Sequence, residues 1–76
     1  MITVKLYGLL RLDSGIKSLA VDAKSTKDLI TVLEQQGLDI KLLRGCNMFV
    51  NGTLTIKQTT LNDGDTVQLF PPVAGV

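Results

Sequence analysis

A chain of 76 residues is a single-domain length, near the lower limit at which an apolar core alone can hold a fold. One cysteine and no histidine exclude a disulfide framework and a zinc staple, so packing of the plentiful aliphatic residues has to supply the stability. Eight basic and seven acidic side chains, scattered singly, exclude a basic stripe for nucleic acid, and Lys5, Arg11, Asp13 and Lys17 interrupt any early run that could act as a secretory signal or membrane span.

Residues 2–7 alternate Ile2, Val4 and Leu6 with Thr3, Lys5 and Tyr7, the period of two of a half-buried strand, and Gly8 permits a turn. In the LLRLDSG stretch that follows, Asp13, Ser14 and Gly15 supply turn chemistry, and residues 16–22 repeat a shorter alternation through Ile16, Leu19 and Val21. These two strands are expected to form a hairpin. Over residues 26–36 the period changes: Leu29, Ile30 and Leu33 share one helical face, Ser25 can cap the first turn, Asp28 stands where a capping-box acid stands, and Gly37 suits a left-handed stop. The stretch LDIKLLRGC, residues 38–46, fits a helical turn or a loop. Residues 47–56 read as strand, Asn51-Gly52 turn and short strand, after which Asp63-Gly64-Asp65 turns the chain into a last strand that buries Val67 and Leu69. The sum is an α+β roll, a mixed sheet of four to five strands wrapped over one main helix.

Catalytic chemistry is hard to build from these residues. There is no histidine, Cys46 has no base beside it, and only Asp63 and Asp65 stand close together as carboxylates. That pair brackets Gly64; a metal or acid–base site would need further ligands that the sequence lacks, so an Asx-stabilised turn is the better reading. Cys46 reads as a small apolar side chain and not a nucleophile, and as a lone cysteine it points to a reducing compartment, the cytoplasm. An iron–sulfur cluster needs about four cysteines. No glycine-rich phosphate loop joins a strand to a helix, and Tyr7, Phe49 and Phe70 have no basic track around them for stacking nucleic acid.

If Ile2, Val4 and Leu6 face the helix, Tyr7 faces the other side of the sheet, and by the same parity Val67 and Leu69 put Phe70 there too. Isolated surface aromatics are ordinary, but two that lead toward an apolar end mark an interface. Beyond a domain of residues 1–70, residues 71–76 read as an extended flexible tail. Pro71 and Pro72 fix two φ angles and favour a polyproline-like exit, and the thin end can reach about 20 Å, far enough to thread a partner's cleft. A frayed terminus of no consequence would more often be polar.

The run LNDGDTVQLFPPVAG, residues 61–75, preceded by VNGTLT and by the opening VKLYGLLR, resembles the small ubiquitin-like sulfur-carrier subunit of molybdopterin synthase; the thiamin sulfur carrier is its nearest cousin. The likeness spans essentially the whole chain and is most specific at the Asp-Gly-Asp turn followed by a strand and Phe-Pro-Pro-Val-small-Gly. It implies a ubiquitin-like β-grasp roll and a carrier subunit with no catalytic residues and no bound cofactor of its own. In that family the terminal glycine carboxylate is adenylated, with ATP and magnesium, by a ubiquitin-activating-type adenylyltransferase. It then becomes a thiocarboxylate and enters the large synthase subunit, where sulfur passes to the pterin dithiolene of the molybdenum or tungsten cofactor. The resemblance implies partner contacts at Tyr7, Leu54 and Phe70 and along Pro71, Pro72, Val73 and Ala74, with Arg11 toward the activating partner and sulfur at Gly75 or Val76. It implies neither nucleic acid nor membrane. Such carriers finish Gly-Gly, whereas this chain finishes Gly75-Val76, with a β-branched side chain beside the carboxylate to be attacked. The alternative that this departure opens is a ubiquitin-like binding module that docks a partner without thiocarboxylate chemistry.

Overall fold

The opening alternation becomes strand β1, Ile2–Leu6, with Ile2, Val4 and Leu6 buried and Thr3 and Lys5 exposed, in a computed structural model that describes residues 1–72. β1 is joined antiparallel to β2, Ser18–Val21, by pairs from Ile2 opposite Val21 to Lys5 opposite Ser18. On its other side it pairs parallel with the last strand, β5, Thr66–Phe70, so that Leu6 stands beside Leu69. Strand β3, Asn47–Val50, runs antiparallel to β5 and forms a hairpin with β4, Thr53–Thr55, giving the order β2-β1-β5-β3-β4. The hairpin turns as its sequence requires, with Asn51 and Gly52 both at positive φ, 50° and 85°, the geometry whose twist matches the flanking strands.

The connection between β1 and β2 corrects the sequence reading. The strands pair as in a hairpin, yet the LLRLDSG stretch between them is helix α1, Gly8–Ser14, and not a turn. Only Leu10 of this helix is buried, while Leu9 and Leu12 are exposed, so seven residues with one buried side chain display no 3.6 period to read. The turn chemistry acts at its end, where the Gly15 N–H donates to the Arg11 carbonyl at 2.9 Å. The second strand is also shorter than residues 16–22, and Ile16 packs half-buried outside it.

The main helix α2, Thr26–Gln35, lies where the pattern placed it. The Ser25 hydroxyl accepts the Asp28 N–H at 3.2 Å, and Leu29 and Leu33 are fully buried against the sheet. The ambiguous stretch resolves as helix α3, Ile40–Gly45, whose Asp39 carboxylate accepts the Lys41 N–H at 2.9 Å and whose Leu43 completes the core. Between the inner sheet face and the helices, nine large side chains are less than 2% exposed, among them Ile2, Leu6, Leu10, Leu33 and Leu69. This is the α+β, β-grasp roll, with α1 and α3 added to the main helix.

The Asp63-Gly64-Asp65 segment is a structural turn. The Asp65 carboxylate accepts the Asn62 N–H at 2.8 Å and the Asn51 side-chain amide at 2.9 Å, and the Asn51 side-chain oxygen accepts the Thr66 N–H at 2.9 Å. The β3–β4 turn is thereby tied to the start of β5. These donors, the Asn62 N–H first and Asn51 second, hold the Asp65 carboxyl below its usual 3.8. Asp63 instead pairs with the Met1 amine. Among the described residues no three or more His, Cys, Asp or Glu side chains group together to hold a metal ion, and no described helix is long and apolar enough to cross a membrane.

Candidate functional site

The parallel pairing of β1 with β5 sets up the site one residue at a time. At its end Leu6 stands beside Leu69, and the Tyr7 N–H donates to the Leu69 carbonyl at 3.2 Å. One step further, Tyr7 and Phe70 leave the core face, and their rings stack with centroids 4.3 Å apart and planes within 9°. One step further again, Gly8 meets Pro71 so closely that a Cβ on Gly8 would lie 3.1 Å from the proline Cγ. Gly8 also sits at φ +56°, a conformation that a side chain would strain. Pro72 then packs on Gly45 at the end of α3, where a Cβ would lie 3.6 Å from the ring. The chain thus leaves the sheet through a slot between the start of α1 and the end of α3, with a proline against each glycine.

The stacked pair belongs to a strip across the outer sheet face. Phe49 presents its edge to Phe70, at 5.4 Å and 83°, and Leu54 stands opposite Phe49 on β4 and is 49% exposed. The Gln68 amide donates to the Tyr7 hydroxyl at 3.0 Å, which fixes the ring over β5. Each aromatic contact is worth about 0.5–1.5 kcal/mol beyond the area it covers, so the strip is a rigid apolar surface. Rigid, partly exposed aromatics that lose little entropy on contact are what a protein partner can grip.

Of the residues singled out from the sequence, Tyr7, Leu54 and Phe70 come together in this strip, and Pro71 and Pro72 lie at its end in the slot. Arg11 stands apart, exposed on the last turn of α1 and in no ion pair among the described residues. Val73, Ala74, Gly75 and Val76 lie outside the described residues, as does the extended course expected for them. Sequence reasoning missed Phe49, Gln68 and the two slot glycines. Alternation about the buried Met48 would have put Phe49 on the outer face, whereas the contacts of Gly8 with Pro71 and of Gly45 with Pro72 join segments far apart in sequence and carry no local signal. Cys46 is half-buried and donates its thiol to the Leu42 carbonyl at 2.9 Å. Burial pushes its pKa up to about 11, so it is a neutral thiol at physiological pH and not a nucleophile.

A family model described as the ThiS family matches residues 4–75, which takes in the strip, the slot and the segment after it. The chain belongs to the ThiS family. It is of the ubiquitin-like sulfur-carrier type that the sequence resembles, and no curated protein matches it. Among solved structures, this ThiS-family chain is similar to a chain in the complex of subunits 1 and 2 of molybdopterin-converting factor from Helicobacter pylori 26695. The two are 26% identical with a TM-score of 0.74, over 99% of this chain and 97% of that one. It is similar also to a chain of the BexX/CysO complex of Amycolatopsis orientalis, with 26% identity and a TM-score of 0.80 over the whole of both chains. SAMP1 from Haloferax volcanii, 23% identical with a TM-score of 0.80 over 99% of this chain and 98% of that one, shares the fold.

Proposed function

We propose that this ThiS-family protein is a cytoplasmic sulfur carrier that docks on its partners through the strip from Tyr7 to Leu54. It presents either the carboxylate of Gly75, freed by cleavage after that residue, or the carboxylate of Val76. An adenylyltransferase of the ubiquitin-activating type uses ATP and magnesium: a carboxylate oxygen attacks the α-phosphorus, pyrophosphate leaves, and an acyl-adenylate forms. A sulfide-level donor then attacks the acyl carbon, the bond to AMP breaks, and the thiocarboxylate remains. In the large subunit of molybdopterin synthase its sulfur bonds to a pterin carbon and water cleaves the acyl–sulfur bond, which returns the carrier's carboxylate and leaves the sulfur for the dithiolene of molybdenum or tungsten cofactor. The chain contributes no catalytic group and binds no cofactor of its own.

This reading rests on the family match over residues 4–75, which spans the docking strip and reaches Gly75. Two of the similar structures are complexes with a partner protein, which supports a docking role for the shared fold. The physics supports it as well. Two prolines held against Gly8 and Gly45 give the following residues a fixed point of departure, so less freedom has to be lost when a partner's cleft takes them up. Arg11, exposed on α1 apart from the strip, is proposed to face the activating partner.

Deleting Gly75 and Val76 is expected to abolish sulfur transfer while binding to the large subunit keeps most of its strength, because the strip is intact; transfer that survives the deletion would contradict the carrier reading. A second reading, a module that docks without covalent chemistry, is supported by the β-branched Val76 after Gly75, where such carriers have a second glycine. It predicts partner binding that is independent of ATP and a carboxylate that never exchanges oxygen for sulfur.

A further inference from the structure

On the inner side of the sheet, away from the aromatic strip, a groove of about 260 Å³ opens between the first half of α2, the end of α3 and the segment that follows β4. Its floor is apolar, made by Ile30, Leu43 and Met48, and the 89% exposed Ile56 stands at its edge. Its rim carries Lys27, Arg44 and Lys57, all exposed, and no carboxylate lines it among the described residues. Among the described residues none of the three cations is in an ion pair, and the one ion pair there joins the Met1 amine to Asp63. The neighbouring hollow along α2 shows the contrast, since Lys24 there shares the wall with Asp22 and Asp28.

Three cations on one groove, with no carboxylate beside them among the described residues, are a local excess in a chain of net charge +1 and attract negative charge. An apolar floor disfavours bare phosphate, which wants converging donors, and single-stranded nucleic acid would need stacking rings, which here lie on the opposite face. The volume is below the roughly 300–1,000 Å³ of cofactor-sized sites, so it admits one or two side chains. We propose that this groove binds a short acidic segment of a partner protein, with an aliphatic side chain on Ile30, Leu43, Met48 and Ile56 and carboxylates on Lys27, Arg44 and Lys57. The proposal does not rest on the carrier reading, and the groove leaves the aromatic strip free.

The probe is a capped hexapeptide, Glu-Glu-Val-Ile-Glu-Glu, titrated into the full chain while backbone amide shifts are followed by NMR. Shifts are expected at Thr26, Arg44, Ile56 and Lys57, with affinity that falls as salt rises and falls by about tenfold in the Lys27→Glu/Arg44→Glu/Lys57→Glu variant. These side chains are exposed, and circular dichroism and a Lys27→Gln/Arg44→Gln/Lys57→Gln variant separate lost charge from lost fold. No shift at about 1 mM peptide, equal binding by the reversed variant, or shifts centred on Phe49 and Phe70 would overturn the proposal. So would a stronger response of the same amides to inorganic pyrophosphate or to an oligonucleotide.

Discussion

Tyr7 and Phe70 lie face to face, 4.3 Å between centroids, although 62 residues separate them. The stack joins the residue that leaves β1 to the residue that ends β5, so the segment leading to Pro71 is anchored by the same surface that is proposed to dock. Position and the proposed recognition are therefore coupled in one pair of rings.

Phe70→Ala is expected to weaken binding to the large subunit by about 1–3 kcal/mol, as truncation of an interface aromatic does. It also removes the Tyr7 stack and the Phe49 edge contact, so a stability loss of about 1–2 kcal/mol accompanies it. Denaturant titration and calorimetric binding separate the two effects. If binding per folded molecule is unchanged, Phe70 is a structural ring and not a docking one.

The two slot glycines should respond differently. Gly8→Ala puts a Cβ 3.1 Å from Pro71 Cγ and holds a side chain at positive φ, which together should cost about 1–2 kcal/mol and displace the prolines. Gly45→Ala meets Pro72 at an ordinary 3.6 Å within a helix and should be neutral or stabilising by up to about 1 kcal/mol. Thermal melts test the ranking. Equal destabilisation would mean that Pro71 does not rest on Gly8.

Asp65 predicts a pH dependence. Its carboxyl is held below 3.8 by the Asn62 and Asn51 donors, so its contribution to stability is present above pH 3.8 and is lost as pH falls through the lower folded value. In Asp65→Asn that contribution is absent at every pH, so the variant is less stable at neutral pH and its deficit shrinks toward about pH 3. Denaturant midpoints at the two pH values measure this. A deficit that does not depend on pH would assign the effect to lost geometry and not to charge.

Much of this was legible in the chain. The parity of Ile2, Val4 and Leu6 against Tyr7, and of Val67 and Leu69 against Phe70, encodes both the core face and the outer ring pair, because a strand alternates every residue. Ser25 and Asp28 marked α2, and Asn51-Gly52 marked the hairpin, through local hydrogen bonding and backbone geometry that short windows of sequence express. Helix α1 was not legible and α3 only as one of two readings, since each buries one leucine, Leu10 or Leu43, and owes its place to tertiary packing. Nor was the slot, which forms where residues 8 and 45 happen to meet residues 71 and 72 in space.

That the chain carries sulfur on a carboxylate at its end is tested most directly by intact mass. Wild type and Val76→Gly are each incubated with a matched adenylyltransferase, ATP, magnesium and a sulfur donor. The expected result is exchange of one carboxyl oxygen for sulfur, on Gly75 after cleavage or on Val76, and faster exchange in Val76→Gly because the Cβ that crowds the acyl carbon is gone. An unchanged mass for both chains with an adenylyltransferase that binds them would contradict the carrier reading and leave the docking module in its place.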